Sequence, residues 1–389
     1  MVNQALISPR FFVLCRTFEI GFHPRSERLL GGLGINHSSA TVITSINKYD
    51  FKGISSLANW TRKVNSSLII IGDKKTPRYP LELVDGITYI SLDQQSKEFP
   101  KLAEALPVNH YSRKNIGYVK AHKLGVKLLL DTDDDNCPTI DFFAKIISNY
   151  RIIPSKKSWI NVYRYFGQKN LWPRGLPLSA AYTETEDAQE VLIKGGLMSE
   201  LMNLETQSPL SIGAFQSLVD GDPDLDAIGR MLYPGKHDFE NLPILILTSD
   251  QMCPTNSQAT LWCSDLLPLT YLPITASFRM TDIWRGIIVQ EFMSCMGYRT
   301  AFGKLFITQE RNPHNQSEDF ISEVSGHIYN EEIRAIAKSI WAKHCTSFKS
   351  TLDAKNVLYL IYEELVSCKI LLPSELKALA AYLDCFTTA

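Results

Sequence analysis

The sequence of 389 residues lacks three features that would each place it in a particular class of protein. Its formal net charge is −1, so it has no basic excess of the kind that attracts nucleic acid, and we expect no nucleic-acid partner. None of its eight cysteines forms a CxxC pair, which argues against a structural zinc site and for the reduced thiols of a cytoplasmic protein. No apolar run approaches the roughly 20 residues of a membrane-spanning helix, so we expect any membrane contact to be peripheral.

What is present is typical of a globular protein with an ample core, since 45% of the residues are hydrophobic and 21% are charged. We predict three parts: an N-terminal arm over residues 1–38, an α/β domain over 39–315 and a helical C-terminal region over 316–389. Helical spacing dominates from Glu331 to Phe386. We expect this last region to pack on the α/β domain or to form a homodimer.

The segment Val126–Pro138, VKLLLDTDDDNCP, contains a short apolar run followed by four acidic residues in five positions. Such a run predicts a buried central strand, and carboxylates at its C-terminal edge lie where open α/β sheets bind ligands. Mutual repulsion of the carboxylates favours a bound cation. Ligands that are all oxygen suit Mg²⁺ or Mn²⁺, which usually also hold substrate phosphates. The alternative is a solvated acidic turn.

Segments with strand and helix patterns alternate before this turn. The predicted strands are Ala40–Ile46, Ser67–Gly72 and Ile87–Leu92, and the predicted helices are Phe51–Val64 and Tyr111–Leu124. The alternation predicts a doubly wound α/β layer with a parallel sheet.

Polar residues that follow the first two strands should lie at the same edge of the sheet as the aspartates. They are Asn47, Asp73 and Lys74. Two cations near the start of the second predicted helix, Arg113 and Lys114, are candidates to offset the charge of a bound diphosphate. The alternative for both cations is an exposed helix start.

The segment Asn161–Pro177 is dense in aromatic residues, glycine, proline and cations. Trp172 and Arg174 lie in its WPRG run and are candidates to cover a bound nucleotide sugar. The alternative interpretation is that the aromatic side chains pack a small satellite core.

Three further aspartates precede predicted helices. Asp224 and Asp226 lie in DGDPDLDAIGRM, where they either cap a short helix or bind an acceptor hydroxyl, one of them as a base. Asp282 begins a mostly buried helix that Gly297 ends, and a carboxylate at such a position is ordinarily a cap. Together with the upstream acidic turn, Asp282 is also a candidate to deprotonate an acceptor hydroxyl.

Several of these segments resemble the STELLO family of glycosyltransferases, over roughly residues 40–305. The most specific is the WPRGLPL run, Trp172–Leu178. The other matching segments are Asn115–Tyr118, Leu130–Asp134, Phe166–Gln168, Asp224–Asp226, Pro254–Thr260 and Asp282–Gly286, with Gln290 and Gly297.

The resemblance implies a GT-A type fold, a Rossmann-like sheet that binds a nucleotide-diphospho-sugar. It implies that Asp131 lies near the ribose or base, and that Asp133 or Asp134 ligates a Mn²⁺ or Mg²⁺ ion bridging the diphosphate. It also implies that Asp282 is the general base of an inverting enzyme, although Thr281 stands where many such enzymes have glutamate.

We therefore expect a metal-dependent, inverting glycosyltransferase that moves a sugar from a nucleotide-diphospho-sugar to a hydroxyl of a glycan or glycolipid. Surface polysaccharide or glycoconjugate synthesis is the expected context. The metal, with Lys114 or Arg174, would stabilise charge on the leaving diphosphate. Two alternatives stay open: a nucleotide-sugar mutase built on the same sheet, and a non-catalytic scaffold.

Overall fold

The computed structural model describes residues 39–48, 51–77, 86–138, 150–152, 157–181, 191–193, 211–309, 315–344, 348 and 351–386. The predicted N-terminal arm, residues 1–38, lies outside the described residues. Within the described residues, a twisted sheet, the helices on its two faces and a group of C-terminal helices make up most of the regular structure.

The described strands join into one sheet of eleven. In chain order they are β1 (Ser39–Ser45), β2 (Ser67–Gly72), β3 (Ile87–Ile90), β4 (Leu128–Thr132), β5 (Asn136–Pro138), β6 (Tyr150–Ile152), β7 (Val191–Ile193), β8 (Ser211–Asp220), β9 (Ile244–Ile246), β10 (Ala259–Cys263) and β11 (Tyr298–Gln309). Neighbours follow the order β3-β2-β1-β4-β10-β8-β11-β9-β6-β7, and β5 pairs with β11. The first three predicted strands are confirmed, with ends that differ by two residues or fewer.

The described α-helices, in chain order, are α1 (Lys52–Lys63), α2 (Leu92–Glu98), α3 (Pro100–Ala105), α4 (Lys114–Lys123), α5 (Leu178–Ala181), α6 (Ala227–Leu232), α7 (Thr281–Cys295), α8 (Gln316–His344), α9 (Thr351–Ser367) and α10 (Ser374–Asp384). Helix α7 ends as predicted, since Gly297 follows it with a φ of +82°, a left-handed conformation that glycine adopts without strain. None of the helices in the described ranges is both long and apolar enough to cross a bilayer.

The sheet is parallel only in part. Strand β1 pairs in parallel with β2 on one side and with β4 on the other, as predicted. Beyond β4 the sheet is mixed, because β10 runs antiparallel to both β4 and β8. Ala259 pairs with Thr132, so β10 begins at the edge where β4 ends and runs back along it. The loop that precedes β10 therefore lies beside the acidic turn.

Helices cover both faces of the parallel strands. Because side chains along a strand alternate between the two faces, neighbouring residues of β1 contact different helices. Ile43 of β1 packs with Ile54 and Leu57 of α1. Its neighbour Val42 faces the other way, and its Cγ1 lies 2.4 Å from where a Cβ would be at Gly117 of α4. The doubly wound arrangement is thus confirmed.

The C-terminal helices share the main hydrophobic core with the sheet. That core includes Ile287 of α7, Trp341 of α8, Tyr362 of α9 and Tyr382 of α10. The predicted fold class, α/β with a helical C-terminal region, is confirmed.

Helix α8 buries polar side chains. Glu323 accepts a hydrogen bond from Arg279 Nε at 2.8 Å, and Asn330 accepts one from Trp284 Nε1 at 2.8 Å. Its exposed face carries four apolar side chains, those of Phe320, Ile321, Val324 and Ile328. Hydrogen bonds and ion pairs thus attach the first half of this helix to the elements beneath it.

Candidate active site

The acidic turn, residues 133–135, connects β4 to β5 at the carboxyl edge of the parallel strands. On one side Thr132 Oγ1 donates a hydrogen bond to the carbonyl oxygen of Gln258, at 2.6 Å. On the other side the carbonyl oxygen of Asp134 lies 1.7 Å from where a Cβ would be at Gly53. The turn therefore lies between the loop before β10 and the backbone of α1 and is in contact with both.

Gly53→Ala is expected to lower the free energy of unfolding by about 1–3 kcal/mol, the usual cost of overpacking, because the added methyl group overlaps the carbonyl of Asp134. Without that contact alanine would stabilise a helix relative to glycine by about 1 kcal/mol. Urea denaturation of both proteins measures the difference. Ser56→Ala in the same helix is the control, and a gain in stability from Gly53→Ala would contradict the close approach.

Asp131 lies fully buried at the end of β4 and is the centre of a charged cluster. Its Oδ1 is 2.7 Å from Lys114 Nζ and its Oδ2 is 2.6 Å from Arg285 Nη1. The hydroxyls of Tyr118 and Ser257 both donate to Oδ2 at 2.9 Å. Burial raises the pKa of Asp131, but the two cations outweigh burial and hold the pKa below its ordinary value. Asp131 has no exposed surface, and its position near a ribose or base stays a prediction.

Asp133, the first acid of the turn, is partly exposed to solvent and also contacts Lys114 of this cluster. One third of its side chain is exposed, at 33%, and its Oδ1 lies 3.3 Å from Lys114 Nζ. Tyr111 donates its hydroxyl to the same oxygen at 2.7 Å. Partial burial raises the pKa of Asp133, and Lys114 opposes that rise. Lys114 has no exposed surface and pairs with both Asp131 and Asp133, so it lies behind the carboxylates; its role in offsetting the charge of a diphosphate stays a prediction.

The other residues predicted at this edge hold loops or face solvent. Asn47 Nδ2 donates to Asp134 Oδ2 at 2.9 Å and so ties the end of β1 to the acidic turn. The carboxylate of Asp73 accepts the backbone N–H groups of residues 109 and 110, at 2.8 and 3.0 Å. Lys74 is exposed. Of these residues, Lys74 presents a positive charge to solvent.

Arg113 turns away from the edge. Its Nη1 donates to Gln95 Oε1 at 2.7 Å, and its Nη2 donates to the carbonyl oxygens of Ala103 and Leu106 at 3.2 and 3.0 Å. Burial lowers the pKa of Arg113, and the charge of Asp73 opposes that change. The guanidinium of Arg113 is thus buried against α2 and α3, and its role in offsetting the charge of a diphosphate stays a prediction.

A second buried network surrounds Arg174. Its Nη2 lies 2.8 Å from Asp224 Oδ2 and 3.0 Å from Asp282 Oδ2. Burial lowers the pKa of Arg174, but the two carboxylates raise it well above its ordinary value, so the guanidinium stays charged. The backbone N–H of Ser257 donates to Asp282 Oδ2 at 3.0 Å. Through Ser257, this network joins the cluster around Asp131.

The three predicted catalytic acids thus all have structural partners. Asp224 and Asp282 share Arg174, while Asp226 caps α6 by accepting the N–H of Gly229 at 2.7 Å. The capping interpretation is confirmed for Asp226. The catalytic roles of Asp282 and Asp224 stay predictions.

The WPRG segment contributes to a core. Trp172 has no exposed surface, and its Nε1 donates to Asp226 Oδ2 at 2.8 Å. It packs with Leu176, Ala180 and Ala181. Of the two alternatives stated for this segment, the structure supports the satellite core, because neither Trp172 nor the buried Arg174 presents a surface that could cover a nucleotide sugar.

Four residues of the site received no role from the sequence. Three of them, Arg285, Ser257 and Tyr118, lie in segments that match the STELLO family, so the resemblance could have pointed to them. The fourth, Tyr111, lies outside those segments, and only its position one helical turn before Lys114 could have suggested a role. Arg285 also lies over the ring of Trp262, with its Cζ 5.1 Å from the ring centroid.

A cavity of about 760 Å³ lies at the carboxyl ends of β8 and β11. Its walls include Tyr233, Asp238 and Gln309. Gln309 Nε2 donates to Asp135 Oδ2 at 3.0 Å, and Gln258 Nε2 donates to Gln309 Oε1 at 2.5 Å. Gln309 therefore connects the cavity wall to the acidic turn.

The donor set at the acidic turn fits one kind of metal site. Among the described residues, no group of three or more His, Cys, Asp or Glu side chains is arranged to hold a metal ion. Mg²⁺, however, is usually bound through one or two carboxylates, with water and substrate phosphates completing its octahedron. The partly exposed Asp133, with Asp134 and Asp135 next to it in the turn, fits a site of that kind.

Sequence comparison finds two plant proteins that are similar to this chain over 66% of its length. The chain is 25% identical over 281 residues to Probable glycosyltransferase STELLO2 of Arabidopsis thaliana, and 25% identical over 280 residues to STELLO1 of the same plant. The predicted resemblance is confirmed over 66% of the chain. The chain spans about a third of the length of these relatives, 34% and 33%. No family model matches the sequence.

Two solved structures overlap this chain at low similarity. One is the M. tuberculosis glucosyl-3-phosphoglycerate synthase, 13% identical with a TM-score of 0.37, covering 77% of this chain and 81% of that one. The other is a mycobacterial protein, 12% identical with a TM-score of 0.36, covering 77% of this chain and 75% of that one. At these TM-scores the overlaps assign no function to the chain.

Proposed function

We propose that this chain transfers a sugar from a nucleotide-diphospho-sugar to an acceptor hydroxyl, with Mg²⁺ or Mn²⁺ bound at the acidic turn. The observation that carries the proposal is the position of Asp133. It is partly exposed at the carboxyl edge of β4, where α/β sheets bind ligands, and it lies 3.3 Å from the buried ammonium of Lys114. The similarity to two probable glycosyltransferases supports the same class of reaction.

Charge balance at the turn supports a metal that arrives with a diphosphate. Lys114 pairs with Asp131 and Asp133, and Arg285 pairs with Asp131, whereas Asp134 accepts hydrogen bonds from the neutral side chains of Ser45 and Asn47. A divalent ion at the turn would offset this excess of carboxylates and would supply positive charge for a diphosphate to balance. When bound, the metal supplies electrostatic stabilisation of the leaving diphosphate.

The chain's own residues would position these charges. The cluster around Asp131 holds the end of β4 rigid, and Asn47 holds Asp134. Lys74, exposed after β2, is the candidate to contact the diphosphate directly. Arg174 is buried between Asp224 and Asp282 and is not placed for the role in leaving-group stabilisation that the sequence suggested.

We retain Asp282 as the proposed base and, with it, inversion at the anomeric carbon. Both of its oxygens accept hydrogen bonds from Arg174, at 3.1 and 3.0 Å, so an acceptor hydroxyl would have to replace one of these bonds. Product stereochemistry, determined by NMR, tests the assignment. Retention of configuration would overturn it.

The direct test of donor binding is a thermal-shift measurement with UDP-, GDP- and CDP-sugars, each with and without Mn²⁺. A ligand that binds only the native state at 100 times its Kd stabilises it by about 2.7 kcal/mol. We expect one nucleotide series to raise the melting temperature only when the metal is present.

Asp133→Asn is expected to abolish this metal-dependent increase while leaving the melting temperature of the free protein nearly unchanged, because Asp133 is partly exposed and an amide is a poor metal ligand. Asp265→Asn is the matched control, since Asp265 is an exposed aspartate that follows β10, near the opposite edge of the sheet. An unchanged metal-dependent shift in Asp133→Asn would remove the metal from this turn.

The outcomes also separate the alternatives. Conversion of the donor into its ring isomer without any acceptor would indicate a mutase. Absence of a metal-dependent shift with every nucleotide series would favour a scaffold. Surface polysaccharide or glycoconjugate synthesis, cytoplasmic location, peripheral membrane contact and homodimer formation stay predictions.

A further inference from the structure

The cavity at the ends of β8 and β11 has the dimensions of a ligand site. Its volume, about 760 Å³, lies within the roughly 300–1,000 Å³ of small-molecule sites. It is placed beside the proposed donor site, because Gln309 in its wall bonds to Asp135 of the acidic turn. A molecule in the cavity would therefore be next to a donor bound at that turn.

Among the described residues, three carboxylates and two cations line the cavity: Asp220, Asp222 and Asp238, with Arg230 and Lys236. Asp222 forms an ion pair with Arg230, and Asp220 Oδ2 lies 2.7 Å from the Nζ of Lys304, which is not a lining residue. Such a wall has no net positive field to hold a phosphate or a carboxylate, so it suits an uncharged ligand.

The lining also offers the mixture of groups that hydroxyl-rich molecules require. Tyr233 provides an aromatic ring and a hydroxyl, Gln309 and Gln316 provide amides, and Asp238 provides a carboxylate. The ring of Tyr233 packs edge-on against the buried Trp172, with centroids 6.4 Å apart and planes at 89°. Trp172 thus supports the wall of the cavity from behind.

We propose that this cavity binds the acceptor, and that the acceptor is an uncharged glycan. The assignment of the occupant as an acceptor rests on the proposed glycosyl transfer. Tyr233 would contact the apolar face of a sugar ring, and Asp238 and Gln309 would accept hydrogen bonds from its hydroxyls. The cavity would thereby determine which glycan is extended.

The test is binding of the full-length protein to a printed array of neutral, sialylated and sulfated oligosaccharides. We expect the signals to fall on neutral glycans. Asp238→Asn is expected to weaken binding about tenfold, because it replaces one acceptor oxygen of the carboxylate with an amide nitrogen. The substitution keeps Oδ1, which accepts the N–H of Gly221 at 3.2 Å, so the local structure should be preserved. Tyr233→Ala is expected to weaken it at least as much, and Asp265→Asn is expected to leave it unchanged.

Donor binding is measured on the same variants, so that failure here is distinct from failure of the proposed function. Both cavity variants should keep the metal-dependent thermal shift with the nucleotide sugar. Preference for acidic glycans, or neutral-glycan binding that neither cavity variant weakens, would overturn the assignment of this cavity. Neutral-glycan binding that depends on Tyr233 and Asp238 would support it, even if the nucleotide-sugar shift were missing.

Discussion

Arg174→Met is expected to lower the free energy of unfolding by about 3–5 kcal/mol, the usual loss when one partner of a buried ion pair is removed. Arg174 is buried and bonds to Asp224 and to Asp282, at 2.8 and 3.0 Å. Methionine fills similar space but leaves two buried carboxylates without this counter-ion. Urea denaturation of the wild type and the variant measures the loss.

Two controls separate charge from packing. Arg62→Met removes an exposed arginine from α1 and should change stability by no more than about 0.5 kcal/mol. Adding Asp224→Asn and Asp282→Asn to Arg174→Met should restore part of the lost stability, because the buried charges are then gone. A loss no larger than that of Arg62→Met would show that the network contributes little.

Asp131→Asn is expected to cost a similar amount, about 3–5 kcal/mol, because it leaves Lys114 and Arg285 buried without their shared carboxylate. Asp134→Asn is the matched control. Asp134 lies on the same turn, is partly exposed, and accepts hydrogen bonds from two neutral groups, the hydroxyl of Ser45 and the amide of Asn47. The substitution at 134 should therefore cost much less than the one at 131.

The effect of Asp131→Asn should depend on pH in a defined direction. The folded pKa of Asp131 is lower than its unfolded value of about 3.9, because Lys114 and Arg285 outweigh burial. Its contribution to stability is therefore fully present above the unfolded pKa and is lost as pH falls through the folded pKa. Unfolding curves from pH 7 to pH 2 should show a constant difference between wild type and variant that narrows only below about pH 4. A difference that grew on acidification would contradict the assignment.

The acidic turn illustrates what the sequence predicts and what it does not. Its apolar run predicts the buried strand, and the aspartates predict the ligand-binding edge. The sequence does not say which acid reaches solvent. Asp131 and Asp133 are two residues apart and both face Lys114, but Asp131 lies inside the strand and Asp133 just beyond its end. Burial of Asp131 also depends on Arg285, 154 positions away, and periodicity carries no information about such a partner.

The same reason explains which part of the sheet the sequence does not predict. Strands β1 and β2 have local patterns and neighbours close in sequence, so the sequence predicts them. Strand β10 pairs with β4, which is more than 120 residues upstream, in a direction set by where its preceding loop lies. For Arg113 and Trp172, residue type suggested ligand contact, whereas tertiary packing gives Arg113 backbone carbonyls as partners and gives Trp172 the carboxylate of Asp226.

Helix α8 limits how this protein can be divided or recombined. A gene fusion or truncation that kept residues up to 315 would leave Arg279 and Trp284 without the partners that Glu323 and Asn330 provide. The same cut would remove Trp341, Tyr362 and Tyr382 from the main core. The border between sheet and C-terminal helices is therefore not an exchangeable boundary. In evolution we expect the two regions to be inherited together.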